Sequence, residues 1–208
     1  TIHLQPSGFN LLFGIPMTEL TDAAYDAHAV IGAVVPSLEH ELRETPGFAR
    51  RIQLIEDRLI RMLGCHRAPD PVALAANRLF ACNGNQRVSE MASDCGLSPR
   101  QFERRFLALV GVPPKLYGRI IRFNAAVDQK LRCPAHAWSR IANDQDYYDQ
   151  MHMVHDFRAF TGESPSRFLA HVEGLPAFHT LFAVPYRERH ETVRRASHPY
   201  YHDDAAIG

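Results

Sequence analysis

Residues 98–114 read SPRQFERRFLALVGVPP. If this run is helical, Phe102, Phe106 and Leu109 share one face and turn inward, leaving Arg100, Gln101, Glu103, Arg104 and Arg105 to project outward. A guanidinium fork can donate paired hydrogen bonds to O6 and N7 of guanine, and Gln or Glu can meet adenine or cytosine. The chemistry such a face offers is recognition of base edges in a DNA major groove. No catalytic set competes with it. The chain has no Gly-x-Ser-x-Gly elbow, no Walker loop, no dinucleotide fingerprint and no framed pair of carboxylates. No catalytic residue is assigned, and no enzyme activity is expected.

A helix presenting such a face has to be held in place. The same punctuation occurs twice, 51 positions apart: Ser98 falls on Asp149, Phe102 on Met153, Phe106 on Phe157, Gly111 on Gly162 and Pro114 on Pro165. Each copy has a capping residue, an apolar pair four apart, a glycine stop and a proline. A short apolar-periodic stretch precedes each, 88–95 in the first and 138–143 in the second. A short helix, a tight turn and a second capped helix make a helix-turn-helix. In the first copy Ala92 is the small residue at the crossing, Gly96 the turn, Ser98 the cap, and Phe102 and Phe106 the lock. In the second, Ala142, the turn at 144–148, Asp149, Met153 and Phe157 take these parts. Two copies are too few for a solenoid; they are a matched pair. The periodicity predicts helices near 72–82, 88–95, 98–110, 116–131, 138–143, 149–160 and 165–172.

The bulk numbers fit an ordinary globular protein: 208 residues, 46% apolar, 22% charged and no formal net charge. The charge is unevenly spread. Residues 72–172 carry 13 Lys and Arg against 9 Asp and Glu, an excess of the sign a phosphate backbone attracts, while both flanks are net acidic. The four cysteines show no zinc-ligand rhythm, and Cys82 and Cys95 read as small core residues. The tail histidines His179, His190, His198 and His202, beside Asp203 and Asp204, match no structural zinc pattern, so no metal and no cofactor are expected. No apolar run reaches bilayer length; the expectation is a cytoplasmic, nucleoid-associated protein with no membrane contact.

Ahead of the repeat the reading is coarser. Residues 1–16 alternate loosely and are broken by prolines and glycines, which predicts one or two short strands. A helix is expected from a cap at Thr21 or Asp22, with an interruption at Pro36. FARRIQLIEDRLIRML places Ile52, Ile55, Leu59 and Leu63 on one face, to pack within its own domain or on a second subunit. Thr1 in place of an initiating methionine points to a trimmed N-terminus. The predicted fold class is mainly α, two helix-turn-helix subdomains joined by a long helix and preceded by a small α+β N-terminal segment. The predicted division is 1–64, a linker at 65–71, a domain at 72–172 and an unassigned tail at 173–208.

The run MASDCGLSPRQFERRFLALVGVPPKLYGRIIRFNAAV, followed by YYDQMHMVHDFRAFTGESPSRFL, resembles the DNA-binding domain of AraC/XylS-type transcription regulators. The resemblance covers about residues 72–172 and rests on two differently spaced helix-turn-helix units, a connecting helix and a terminal Gly-x-x-Pro, all in order. It implies a sequence-specific regulator whose two heads lie in successive major grooves of double-stranded DNA, joined by the helix at 116–131. Carried over by position, the base-facing residues are Arg100, Glu103 and Arg104 in the first head and Gln150, Met151 and His155 in the second. Lys115, Arg119 and the helix N-terminus capped by Ser98 would meet phosphates. GFNLLFGIPMTELTD and RRIQLIEDRLIRML resemble the region that closes a β-rich sensing or dimerisation domain in one subgroup, most of which would be absent here. RNA polymerase and a second copy of the chain are candidate partners, and the effector, the operator and the choice between activation and repression stay open.

The chain departs from the family pattern in its second head. Asp146 stands where a glycine is usual, and although Asp adopts left-handed geometry, it does so less readily and its charge faces DNA unfavourably. His155 stands where an arginine is common. The second head is therefore expected to add less affinity than the first. The competing reading is a protein-interaction or signal-sensing module whose second head no longer reads DNA.

Overall fold

A computed structural model describes residue 4 and residues 7–64 and 70–172; Cys65, most of the expected linker and the histidine-rich tail lie outside them. The described residues form two compact units. One joins residues up to Phe80 with Gln86–Tyr117, and the other joins Ala81–Asn85 with residues from Gly118 onward.

In the first unit the chain opens with α1 (Gly8–Phe13) where strands were expected, and no strand occurs among the described residues. The predicted α+β segment is thus helical. Phe9 and Phe13, four apart, bring their ring centroids to 4.7 Å, Gly14 closes the helix at φ 71°, and the Asn10 amide donates to the Ile15 carbonyl at 2.9 Å. So short an apolar run has no decisive period, and local closure settles it. A 3-10 turn follows at Met17–Glu19, then α2 (Ala27–Ile31), α3 (Val34–Glu44) and α4 (Phe48–Leu63). Thr21 caps no helix. Asp26 caps α2, its carboxylate accepting from the His28 N–H at 2.8 Å. Pro36 does not interrupt α3 but lies in its first turn, where a backbone N–H has no intrahelical partner to lose. None of the side chains of α4 is buried.

The Thr21 hydroxyl lies instead 2.8 Å from the Met17 carbonyl and 3.1 Å from the carbonyl of Gly111. Gly111 is buried at φ 89°, and a Cβ there would collide with that hydroxyl. The rest of the unit is α5 (Pro71–Ala81), α6 (Val88–Asp94), α7 (Pro99–Val110) and the first turn of α8 (Pro114–Arg132). Val72, Ala75, Ala76, Met91, Phe102 and Phe106 are completely buried. The alanines of α5 let backbones approach closely, and each large side chain contributes about 1.5–3 kcal/mol of transfer free energy. Cys82 and Cys95 are not core residues: Cys82 is exposed and Cys95 half-buried, its thiol 3.4 Å from the Pro71 carbonyl.

The second unit is the rest of α8 with α9 (Trp138–Asp144), α10 (Gln150–Thr161) and α11 (Pro165–Val172). Its core is Phe123, Ala126, Val127, Ile141, Ala142, Tyr147, Met153 and Phe157. Phe157 sits at the centre, with Phe123 at 4.7 Å and Trp138 at 5.5 Å, both edge-on, the arrangement that ring quadrupoles favour. The turn at 82–85 crosses α8 backbone to backbone: a Cβ on Gly84, which has φ 77°, would collide with the carbonyl of Gly118. The Lys130 ammonium donates to the carbonyls of Pro134 and His136 at 2.6 and 2.8 Å, fastening the end of α8 to the start of α9.

Candidate nucleic-acid interface

The first helix-turn-helix is α6, a turn and α7. Ala92, fully buried, has no side chain to hold the helices apart. Gly96 takes φ 65°, its N–H donating to the Ser93 carbonyl at 2.9 Å while Leu97 donates to Ala92 at 2.9 Å. Ser98 then caps α7 reciprocally. Its hydroxyl accepts from the Gln101 N–H, and the Gln101 side chain accepts from the Ser98 N–H at 3.0 Å. Ser98 is thus occupied by its own helix, and Pro99 has no N–H, so the amide of Arg100 is the free donor of the first turn.

With Phe102, Phe106 and Leu109 turned inward, Arg100, Glu103 and Arg104 are exposed on one face. No acidic group among the described residues holds Arg100 or Arg104. Arg105 is different: its guanidinium lies 2.9 and 3.0 Å from the two oxygens of Asp70 and belongs to the unit's own packing. Lys115 is exposed in the first turn of α8.

The second helix-turn-helix repeats this with two changes, an aspartate at the turn and one extra residue. Asp146 takes φ 55°, its N–H donating to Asn143 at 3.2 Å, and Tyr147 donates to Ala142 at 3.0 Å, the same two turn bonds as in the first copy. Left-handed geometry at Asp146 is what the departure from glycine required. The short helices are offset by 50 positions and the long ones by 51. The extra residue is Tyr148, which is 92% exposed. Asp149 then caps α10, its carboxylate accepting from the His152 N–H at 2.7 Å.

Gln150, Met151 and His155 are all exposed on α10, with Gln150 at its first position. Overlaying the copies at 51 sets Arg100 on Met151, Glu103 on Val154, Arg104 on His155 and Leu107 on Arg158. Val154 and Arg158 were missed as candidates, although the repeat itself held the signal.

Arg119, expected at a phosphate, is held within the protein. Its Nε and Nη2 both lie 2.9 Å from Oδ1 of Asp156, whose side chain is 1% exposed, and its guanidinium stacks over Phe160. Asp156 Oδ2 and the Tyr147 hydroxyl are buried with no hydrogen-bond partner, and Arg122 stacks over the Tyr147 ring at 5.3 Å. Burial, and then the nearby Asp156, push the Tyr147 phenol well above its ordinary value. A side-chain network braces the turn from the other side: Gln129 donates to Asp144 at 2.7 Å, Gln145 to Gln129 at 2.6 Å and Asn83 to Gln145 at 3.3 Å.

Among the described residues no cluster of His, Cys, Asp or Glu could hold a metal, and no helix is long and apolar enough to cross a membrane. Residues 91–171 match a family model described as a helix-turn-helix domain, of the AraC type. Neither a curated protein nor a solved structure gives a significant match. The matched segment begins inside α6 and ends inside α11, so it takes in the two capped helices α7 and α10 and the helix between them. This segment, less than half of the chain, is similar to the helix-turn-helix domain of AraC-type regulators, DNA-binding proteins of transcription.

Proposed function

We propose that residues 72–172 act as one reader of DNA sequence, with α7 and α10 in successive major grooves. Arg100, Glu103 and Arg104 read bases in the first, and Gln150, Met151 and His155 in the second. Lys115 and the amino end of α7 hold phosphates, the latter through the free Arg100 amide rather than the occupied Ser98 hydroxyl. Arg119 serves as a brace, since Asp156 already neutralises it. The observation that carries this reading is the outward helical face built twice on matching caps, turns and locks. Its second version has no arginine at the positions of Arg100 and Arg104, so it adds less to affinity. The exposed apolar side chains of α4, Phe48, Ile52, Ile60 and Leu63, favour self-association as a second feature of the protein.

The test is selection from a random duplex library with the whole chain at near-physiological salt, followed by titration of salt on the selected sequence. Two enriched half-motifs about 10 bp apart, with affinity falling steeply as salt rises, support the reading. Absence of any enriched sequence sinks it and favours a protein-interaction module.

A further inference from the structure

The two reading faces differ in chemistry as well as in charge. From Val72 to His171 only three large apolar side chains are exposed: Leu74, Tyr148 and Met151. Two of these stand together at the amino end of α10. Met151, 66% exposed, occupies the position of Arg100 in the overlay, and Tyr148 is the residue inserted into the second turn. Val154, half-exposed, replaces Glu103 one turn further on. A shallow, open depression on this face is lined by Asp149, Met151, His152, Val154, His155 and Arg158. The Asp149 carboxylate is tied to the His152 amide at 2.7 Å, so the lining presents the apolar wall of Met151 and Val154 beside His152, His155 and Arg158.

In a major groove the base edges present nitrogen and oxygen donors and acceptors with one apolar exception, the C5 methyl group of thymine. Of the groups there, the thymine methyl is the best apolar partner for an exposed methionine and valine. We propose that the second head recognises thymine, taking its methyl group against Met151 and Val154 with Tyr148 closing the side of the contact. The proposal rests on the two-groove reading above and deepens it. The first head selects guanine-rich edges through its arginines, and the second selects a methyl.

Deoxyuridine differs from thymidine by that methyl alone, so it isolates the contact. Each thymine of the selected operator is replaced singly by deoxyuridine, and affinity is measured for the parent chain and for Met151→Ala, a change at an exposed site that leaves the fold intact. One thymine in the half-site of the second head should matter. Losing its methyl should weaken the parent about fourfold, the worth of one buried CH₂ group, and should weaken Met151→Ala clearly less, since only Val154 and Tyr148 remain against it. Two results overturn the proposal: no thymine whose methyl matters, or a deoxyuridine penalty of the same size in Met151→Ala. Either would assign the exposed patch to a protein partner instead. If no operator can be selected at all, the two-groove reading itself has failed, an outcome distinct from both.

Discussion

The Arg119–Asp156 pair makes an asymmetric prediction. The Asp156 carboxylate is buried, with one oxygen accepting both arginine donors and the other accepting none. The Arg119 side chain is 34% exposed. Arg119→Met therefore strands a buried charge and should cost about 3–5 kcal/mol. Asp156→Leu leaves a cation that can swing to water, and should cost only about 1–2 kcal/mol, the loss of one charge-assisted contact. The double variant Arg119→Met/Asp156→Leu replaces the pair by apolar groups and should return to within about 1 kcal/mol of the parent. The assay is equilibrium unfolding in urea followed by tryptophan fluorescence. The single tryptophan, Trp138, packs against Phe157 in the same unit and reports on it directly. The reasoning is refuted if Asp156→Leu proves the costlier single change, or if the double variant is no more stable than Arg119→Met.

Other expectations follow from the same geometry. Tyr147 holds its proton more tightly when folded than an unfolded tyrosine does, so above about pH 10 the unfolded chain loses its proton first and stability should fall by up to about 1.4 kcal/mol per pH unit. Tyr147→Phe should remove that slope while costing little at neutral pH, as urea midpoints at pH 9 to 11 would show. Arg104→Ala should lose about 1–3 kcal/mol and relax preference at one base pair, whereas Lys115→Ala should weaken all sequences alike and reduce the salt slope by about 1; binding isotherms on matched and mismatched duplexes separate the two. Gly84→Ala should destabilise by about 3 kcal/mol or more, since it adds left-handed strain to a backbone collision at Gly118, and thermal unfolding will report it. Ile52→Asp with Ile60→Asp should shift any self-association toward monomer in sedimentation velocity without loss of helix content.

The helices from 71 to 172 could be read in the sequence because their ends are written locally. Ser98, Asp149, Gly111 and Gly162 cap or stop them, and apolar pairs four apart face the cores. Residues 8–13 were misread because a six-residue apolar run with glycines at its borders suits strand and helix alike, and closure by Asn10 and Gly14 is invisible until the chain is folded. The outward faces of α7 and α10 were legible for the same reason as their cores. What hid was commitment at long range. Nothing near Arg119 in sequence announces Asp156, 37 residues on, and nothing near Arg105 announces Asp70, 35 residues back. The Gly84–Gly118 crossing is hidden in the same way, because its requirement is imposed by distant backbone.

The hydrogen bond from Thr21 to the Gly111 carbonyl has a practical consequence for where the protein can be cut. The family match starts at residue 91 and would tempt an experimenter to excise the helix-turn-helix domain from there. Such a fragment would lack the hydroxyl that caps the end of α7 and the Met17 side chain that covers it. It would expose a glycine shaped to receive a neighbour no longer present. The smallest fragment that keeps α7 as built has to begin before Met17, and its boundary is set by a contact 90 residues apart in the chain rather than by the edges of the family match.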